Sequence, residues 1–224
     1  MAASLKAGYH RNEAFKDFVK LSEPADNIYL TVPELKAIEN LNLSGNPSLD
    51  RVRDLFLIGA FTGLRQSDFS RLRPQHIKNG FITIEQTKTG EDVVIPVHSV
   101  VKKIIAKYNG NLPAAISGQK FNEAIKEVCK QVSCLNGNES KKRTKGGLKT
   151  ISTLQKWAMV GSHTCRRSFC SNQYLAGMPT LTIMSVSGHK NESSFLKYIK
   201  ISKNEHAIKM QEEWKRKENI LKAV

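Results

Sequence analysis

Two arginines, two histidines and one tyrosine form a set that could bind and attack a phosphodiester. Arg65 lies in GLRQSD, His163 and Arg166 lie in SHTCRRSF, His189 lies in SGHKN, and Tyr198 follows nine residues after it. Guanidinium groups present planar, forked donors that match phosphate oxygens, and imidazoles exchange protons near neutral pH. A tyrosine hydroxyl can attack phosphorus. The set indicates phosphoryl transfer that needs neither a metal ion nor another cofactor.

Each of these residues also has an ordinary explanation. The three-residue spacing puts His163 and Arg166 on one face near the start of a helix, where unpaired amides favour an anion. The same face could simply be solvated. His189 could be a turn histidine before a helix that starts near residues 191–193, and Tyr198 could be a half-buried core residue.

The charge of the chain favours a polyanionic partner. The 224 residues include 35 Lys and Arg against 20 Asp and Glu, so the formal charge is +15. Nucleic acid is the commonest ligand of such a field. A hydrophobic content of 40% suits one core, and no stretch approaches the roughly 20 apolar residues of a membrane span. We expect no membrane association and a cytoplasmic, nucleoid-associated protein.

The four cysteines do not predict a metal site. Cys129 and Cys134 form one pair and Cys165 and Cys170 another, each pair with four intervening residues. Four intervening residues is the longest spacing that is usual for paired zinc ligands, so this pattern is a weak zinc signal. We expect reduced, partly buried thiols.

Helix signals begin at residue 31. Thr31 and Glu34 have capping-box spacing, Pro33 suits a first helical turn, and apolar residues then follow at helical period. We expect the main domain to span residues 30–224 and residues 1–29 to be a linker. A buried helix should then end near Gly63, which places Arg65 just past a helix terminus.

Two β-branched segments, FITIE and VVIPV, predict a hairpin whose turn uses Thr89 and Gly90 and carries Lys88. Helical patterns dominate after residue 99. They are interrupted by residues 133–150, which should form an exposed loop or ribbon. This segment could contact DNA phosphates or be merely solvated; its basic residues are Lys141, Lys142, Arg143, Lys145 and Lys149.

Taken together and in this order, the words TGLRQSD, TKTG, HTCRRSF, SGHKN and KYI resemble the tyrosine recombinase (phage integrase) family over about residues 30–214. The resemblance implies an α+β, predominantly helical catalytic domain with a small antiparallel sheet beside the active site. These motifs are most similar to those of integrases of mobile elements in Bacteroides-like bacteria. The family resemblance also implies that a helical DNA-binding domain precedes the catalytic one, so that residues 1–29 would be the end of such a domain.

By position, the resemblance gives each residue a role. Tyr198 would form a 3′-phosphotyrosine link, while Arg65 and Arg166 would hold the nonbridging oxygens of the scissile phosphate. Lys88 would protonate the departing 5′ oxygen. His163 occupies an acid–base or relay position, and His189 occupies a position that donates to the phosphate.

Asp68 matches an acidic residue that supports the first arginine in the family, but it could also cap the helix that follows Arg65. Tyr174 is the other tyrosine close to the motifs, and it fits packing within the HTCRRSF helix. Neither residue replaces Tyr198 as the expected nucleophile.

The implied function is site-specific DNA recombination or integration on double-stranded DNA. The implied assembly on paired DNA sites is a homotetramer, which accessory DNA-bending proteins would assist. In isolation the chain would be a monomer. A C-terminal helix with a basic amphipathic tail would dock on a neighbouring protomer or pack on its own domain; its apolar anchors are Ile208, Met210, Trp214, Ile220 and Leu221. A type IB topoisomerase, a catalytically silent relative and a plain basic helical binding protein are the alternatives.

Overall fold

The computed structural model describes residues 2–14, 27–145 and 148–222; side chains are described for all of these except 2, 141–145, 148–149, 216–217 and 219–222. Helices predominate and the strands form small antiparallel sheets, which confirms the predicted α+β class. A short helix, α1 (Ala2–Lys6), lies in the first segment. The predicted linker over residues 1–29 falls partly outside the described residues.

The domain packs from slightly before the predicted boundary. Tyr29 and Leu30 are buried, and α2 (Val32–Glu39) follows. The capping box is confirmed: the Thr31 hydroxyl accepts from the Glu34 amide, and the Glu34 carboxylate accepts from the Thr31 amide at 2.7 Å. These bonds satisfy orphan amides at the helix start, so the chain enters the domain at a defined angle.

Helix α3 (Pro47–Thr62) is the centre of the core. It is almost continuously apolar from Leu55 to Phe61, and it packs against α2, α5 (Ser99–Lys107), α6 (Gly118–Lys130) and α7 (Ser162–Leu175). It ends at Gly63 as predicted, with φ of 72°. A Cβ at this position would lie 2.5 Å from the Phe169 ring, so both the backbone and the packing require glycine. The close packing of α3 and α7 brings Arg65 and Arg166 together.

A three-stranded antiparallel sheet flanks this core. Its strands are β1 (Ile77–Lys78), β2 (Phe81–Glu85) and β3 (Asp92–Pro96), in the order β1-β2-β3. The predicted hairpin is confirmed, with Phe81 paired to Pro96 and Glu85 to Asp92. Alternate residues of β2 and β3 point into the core, so the hairpin loop over residues 86–91 is held at the edge of the domain.

The basic segment is more regular than a loop. Ser133–Leu135 forms a 3-10 turn whose Leu135 is buried in the core, and a two-stranded antiparallel ribbon follows. The strands are β4 (Asn138–Lys145) and β5 (Leu148–Gln155). The alternative of an exposed ribbon is therefore correct and that of a loop is wrong. The side chains of Lys141, Lys142, Arg143, Lys145 and Lys149 lie outside the described residues.

A short helix, α4 (Gln66–Phe69), directly follows Arg65. The C-terminal part contains helices α8 (Thr180–Ser187), α9 (Glu192–Leu196) and α10 (Lys203–Lys222). Asn191 caps α9 through its side chain, as the predicted helix start near residues 191–193 requires. A second apolar cluster joins α7, α8 and α9 and includes the Tyr198 ring at its edge.

The first turns of α10 pack on their own domain. Glu205 accepts a hydrogen bond from the Tyr29 hydroxyl, and the Lys209 ammonium lies 4.6 Å from the centre of the Tyr174 ring. Ile208, Met210 and Trp214 are exposed, and the side chains of Ile220 and Leu221 lie outside the described residues. Docking on a neighbouring protomer stays a prediction. Within the described part of the chain, no helix is long and apolar enough to span a membrane.

Candidate active site

One open cavity of about 330 Å³ collects most of the residues that the sequence singled out. Its lining comprises Arg65, Gln66, Ser67, Lys88, Ser162, His163, Arg166 and Tyr198. His189 lies behind this surface, in contact with Arg166 and Tyr198. Residues from four separate parts of the sequence thus face one volume, which is larger than a phosphate group needs.

Arg166 is the most enclosed of the cationic groups, with 1% of its surface exposed. Its Nη1 donates to the carbonyl oxygen of Gly63 at 2.8 Å and to that of Ser187, and its Nη2 donates to His189 Nε2 at 3.0 Å. Burial and the nearby Arg65 lower the pKa of Arg166 to about 10, so the guanidinium remains charged at neutral pH. A guanidinium group fixed by these hydrogen bonds is preorganised to bind an anion that enters the cavity.

Arg65 stands at the N-cap position of α4, and its side chain does not cap that helix. Its Nη1 donates to the side-chain oxygen of Gln86 at 2.6 Å, and the side chain lines the cavity. Gln86 is not among the site residues predicted from the sequence. Its signal was strand alternation, because Ile82 and Ile84 point inward and Gln86 continues the same face.

Asp68 has different partners from those expected. The carboxylate is fully buried, and its Oδ1 accepts from the amide and the hydroxyl of Thr87 at 2.9 and 2.8 Å. Its hydrogen bonds thus reach the residue next to Lys88. It is the third residue of α4 and not its cap. The observed bonds fix the base of the hairpin loop, so that the exposed Lys88 extends into the cavity.

The hydrogen bonds around His189 define its tautomer. The Ser187 hydroxyl donates its single proton to the Ile183 carbonyl at 2.6 Å, so it accepts from His189 Nδ1 at 2.7 Å. His189 Nε2 then has only a lone pair, which accepts from Arg166. His189 therefore orients Arg166, and donation from Nε2 to a phosphate requires a change of tautomer that places the proton on that atom.

His189 is neutral in this environment. Burial, followed by the charges of Arg166 and Arg65, lowers its pKa from 6.5 to about 3. The folded pKa lies below the unfolded one, so the unfolded chain takes up the proton first as the pH falls. The contribution of the neutral ring to stability is complete above about pH 6.5 and is lost progressively towards pH 3.

We expect the free energy of unfolding to fall more steeply below pH 6.5 in the wild type than in a His189→Gln variant. One proton limits the extra slope to about 1.4 kcal/mol per pH unit, and solvent screening of the partly exposed ring makes it smaller. Urea denaturation at a series of pH values between about 7.5 and 4 measures the difference. Parallel curves for the two proteins would contradict this assignment.

His163 is the second residue of α7 and faces Tyr198, with 6.5 Å between the ring centres. Burial and the charge of Arg167, followed by other cations, lower its pKa, so the ring is neutral and can accept a proton. The expected free amides at this helix start are partly used: the Ser162 amide donates to Asn122 Oδ1 at 2.8 Å. Anion binding here thus depends mainly on side chains.

Tyr198 follows α9 and lies in a turn closed by its amide donating to the Phe195 carbonyl at 2.7 Å. Its ring packs edge-on against His189, with centres 4.9 Å apart, and the Arg166 guanidinium carbon lies 5.4 Å from the ring centre. These contacts fix the direction of the ring. The half-buried ring packs against the second apolar cluster and also lines the cavity, so both explanations of Tyr198 apply together.

Thiols and carboxylates do not add a metal centre to the site in the part of the chain that the structure describes. No group of three or more His, Cys, Asp or Glu side chains there could hold a metal ion. Cys165 and Cys170 are buried in α7 as free thiols, and burial raises the pKa of both.

The fold of the chain matches solved structures of recombinases. XerA recombinase aligns with a TM-score of 0.59 and 14% identity, covering 88% of this chain and 66% of that one. A λ integrase (75–356) dimer bound to a COC′ core site aligns with a TM-score of 0.63 and 16% identity, covering 88% and 68%. A λ integrase tetramer bound to a Holliday junction gives 0.61 and 16%, covering 88% and 55%. The chain thus spans between about half and two thirds of these proteins.

A catalytic fold of this kind, with a tyrosine beside two arginines, defines the class of tyrosine recombinases. Residues 30–205 match the model of the phage integrase family, and the chain belongs to that family. No curated protein matches the sequence at a significant level.

Proposed function

We propose that this chain carries the catalytic domain of a site-specific DNA recombinase that cleaves and rejoins strands through a 3′-phosphotyrosine intermediate. The observation that supports it most is the convergence of Arg65, Lys88, His163, Arg166 and Tyr198 on one open cavity. Phosphoryl transfer needs the groups that they supply: two guanidinium groups to bind the phosphate, a proton donor (Lys88), a proton acceptor (His163) and a nucleophile (Tyr198).

The proposed reaction begins when the scissile phosphate enters the cavity between Arg65 and Arg166. The Tyr198 hydroxyl oxygen attacks phosphorus and its proton passes to the neutral His163. The bond from phosphorus to the 5′ oxygen breaks, and the Lys88 ammonium protonates that oxygen to give a free 5′ hydroxyl. The phosphodiester energy is kept in the protein–DNA link, so a second 5′ hydroxyl can reverse the step without a nucleotide.

Charge stabilisation comes from the two arginines. The transition state carries more negative charge on the nonbridging oxygens than the bound substrate does, and fixed donors stabilise it most. Arg166 is anchored by two backbone carbonyl groups, so it needs little reorganisation when the charge develops. His189 would join them after a change of tautomer that places the proton of the neutral ring on Nε2.

The proposed partner is double-stranded DNA, supported by the formal charge of +15. We further propose that the basic ribbon β4–β5 contacts DNA phosphates and that strand exchange takes place in a homotetramer on paired sites, with accessory DNA-bending proteins. The λ integrase tetramer bound to a Holliday junction is a precedent in a protein of similar fold. The proposed location is the bacterial cytoplasm, in association with the nucleoid.

Covalent trapping tests the proposal. The protein is incubated with a pool of nicked duplexes of randomised sequence, in which cleavage releases a short strand and cannot be reversed. We expect an SDS-resistant adduct whose peptide map places the 3′ phosphate on Tyr198. Retarded DNA without any adduct would identify a binding protein, and relaxation of supercoils without site preference would identify a topoisomerase; either result contradicts the proposal.

A further inference from the structure

The side-chain amide of Gln86 joins three segments of the active site. Gln86 is fully buried at the start of the hairpin loop, two residues before Lys88. Its Oε1 accepts from Arg65 Nη1 at 2.6 Å and from the Thr89 hydroxyl at 3.2 Å, and its Nε2 donates to the Ser187 carbonyl at 2.9 Å. All the polar atoms of this amide are therefore oriented by defined partners.

The bond to Ser187 connects Gln86 to the second arginine. The same Ser187 carbonyl accepts from Arg166 Nη1, and the Ser187 hydroxyl accepts from His189. A continuous chain of hydrogen bonds thus runs from Arg65 through Gln86 and Ser187 to Arg166. Two guanidinium groups this close repel each other, so their relative position needs a fixed bridge; after burial, the charge of Arg65 is the next cause of the lowered pKa of Arg166.

The packing around Gln86 leaves no space for adjustment. The amide lies against Gly188, where an added Cβ would be 2.4 Å from both Nε2 and Oε1, and the φ of this glycine is 69°. A surface ion pair of 3.0 Å between Lys190 and Glu91 ties the same two loops on the outside. The Lys88 hairpin and the His189 loop therefore meet across Gln86.

The neutral amide suits its place beside an anion-binding arginine. A carboxylate here would form an ion pair with Arg65 and compete with the phosphate for its charge. An amide oxygen orients the fork but leaves the net positive charge available. An apolar side chain would fill the space but leave Arg65 free to rotate.

We propose that Gln86 is a positioning residue that holds Arg65 in register with Arg166 and does so only when the Lys88 hairpin is docked. The two phosphate-binding arginines, Arg65 and Arg166, and the proton donor, Lys88, are thereby positioned together. This inference rests on the proposed recombinase function, and it assigns Gln86 no contact with the reacting atoms.

A double-mutant cycle of Gln86→Met and Arg65→Lys tests this role. Methionine keeps the length of glutamine without its polar atoms, and lysine lacks the second arm of the fork. Single-turnover adduct formation is measured on a saturating suicide duplex, well below the thermal midpoint of each variant. We expect Gln86→Met to slow cleavage about 10- to 100-fold in the wild type, as expected for a misplaced phosphate ligand. In the Arg65→Lys background it should slow cleavage less than about threefold.

The controls separate this role from a structural one and from failure of the proposed function. Gln131→Met, at the exposed end of α6, should leave the rate unchanged. An equal loss in both backgrounds, or a Gln86→Met rate within about twofold of wild type, would overturn the inference. So would a loss that tracks the thermal midpoint as temperature is varied. Absence of an adduct in the wild type itself would instead reject the recombinase proposal.

Discussion

Replacement of Tyr198 by phenylalanine is expected to lower covalent attachment to DNA by at least about 10⁴-fold while duplex affinity stays within about twofold. The change removes only the hydroxyl, the nucleophile in the proposed reaction, and losing a nucleophile typically reduces rates by this order or more. The aromatic ring keeps its edge contact with His189 and its place over the Arg166 guanidinium. Denaturing gels of suicide-duplex reactions measure the first quantity and gel retardation the second.

Tyr174→Phe is the matched control. Tyr174 lies on α7, where its ring contacts His206 and Lys209 of α10, and it does not line the cavity. Removal of its hydroxyl should leave both attachment and affinity close to wild type. The assignment of Tyr198 fails if its phenylalanine variant still forms the adduct, or if Tyr174→Phe is the variant that loses it.

Arg166→Lys is expected to slow strand cleavage about 10²- to 10³-fold at saturating protein, the usual cost of removing one preorganised donor to a developing charge. The charge is conserved, but an ammonium cannot hold the Gly63 and Ser187 carbonyl groups and His189 while also presenting a fork to phosphate. The loss should therefore appear in the single-turnover rate more than in DNA affinity.

Arg73→Lys is the corresponding control, because Arg73 is exposed and makes its described side-chain hydrogen bond to the adjacent Leu72 carbonyl. Its cleavage rate should be unchanged. A thermal midpoint for each variant shows whether the fold is retained at the assay temperature. An Arg166→Lys protein that cleaves at the wild-type rate would show that the planar fork is not needed.

The local signals in the sequence were reliable where neighbouring residues decide the structure. The Thr31–Glu34 capping box, the glycine end of α3 and the β2–β3 hairpin all occur as predicted. Capping, left-handed termini and strand alternation depend on hydrogen bonds and sterics within a few residues. Residues 133–150 carry no such local signal, because a strand of polar residues shows no hydrophobic alternation and forms by pairing with its partner.

Residue type and order also determined which side chains could do chemistry, since only certain groups bind and attack phosphate. The tertiary structure decided their partners. Asp68 binds Thr87, Arg65 binds Gln86, and His189 accepts from Arg166. These contacts join residues between about 20 and 100 positions apart once α3 packs against α7 and the hairpin meets the end of α8. Local propensity carries no information about such pairings, because they exist only after the core has brought the segments together.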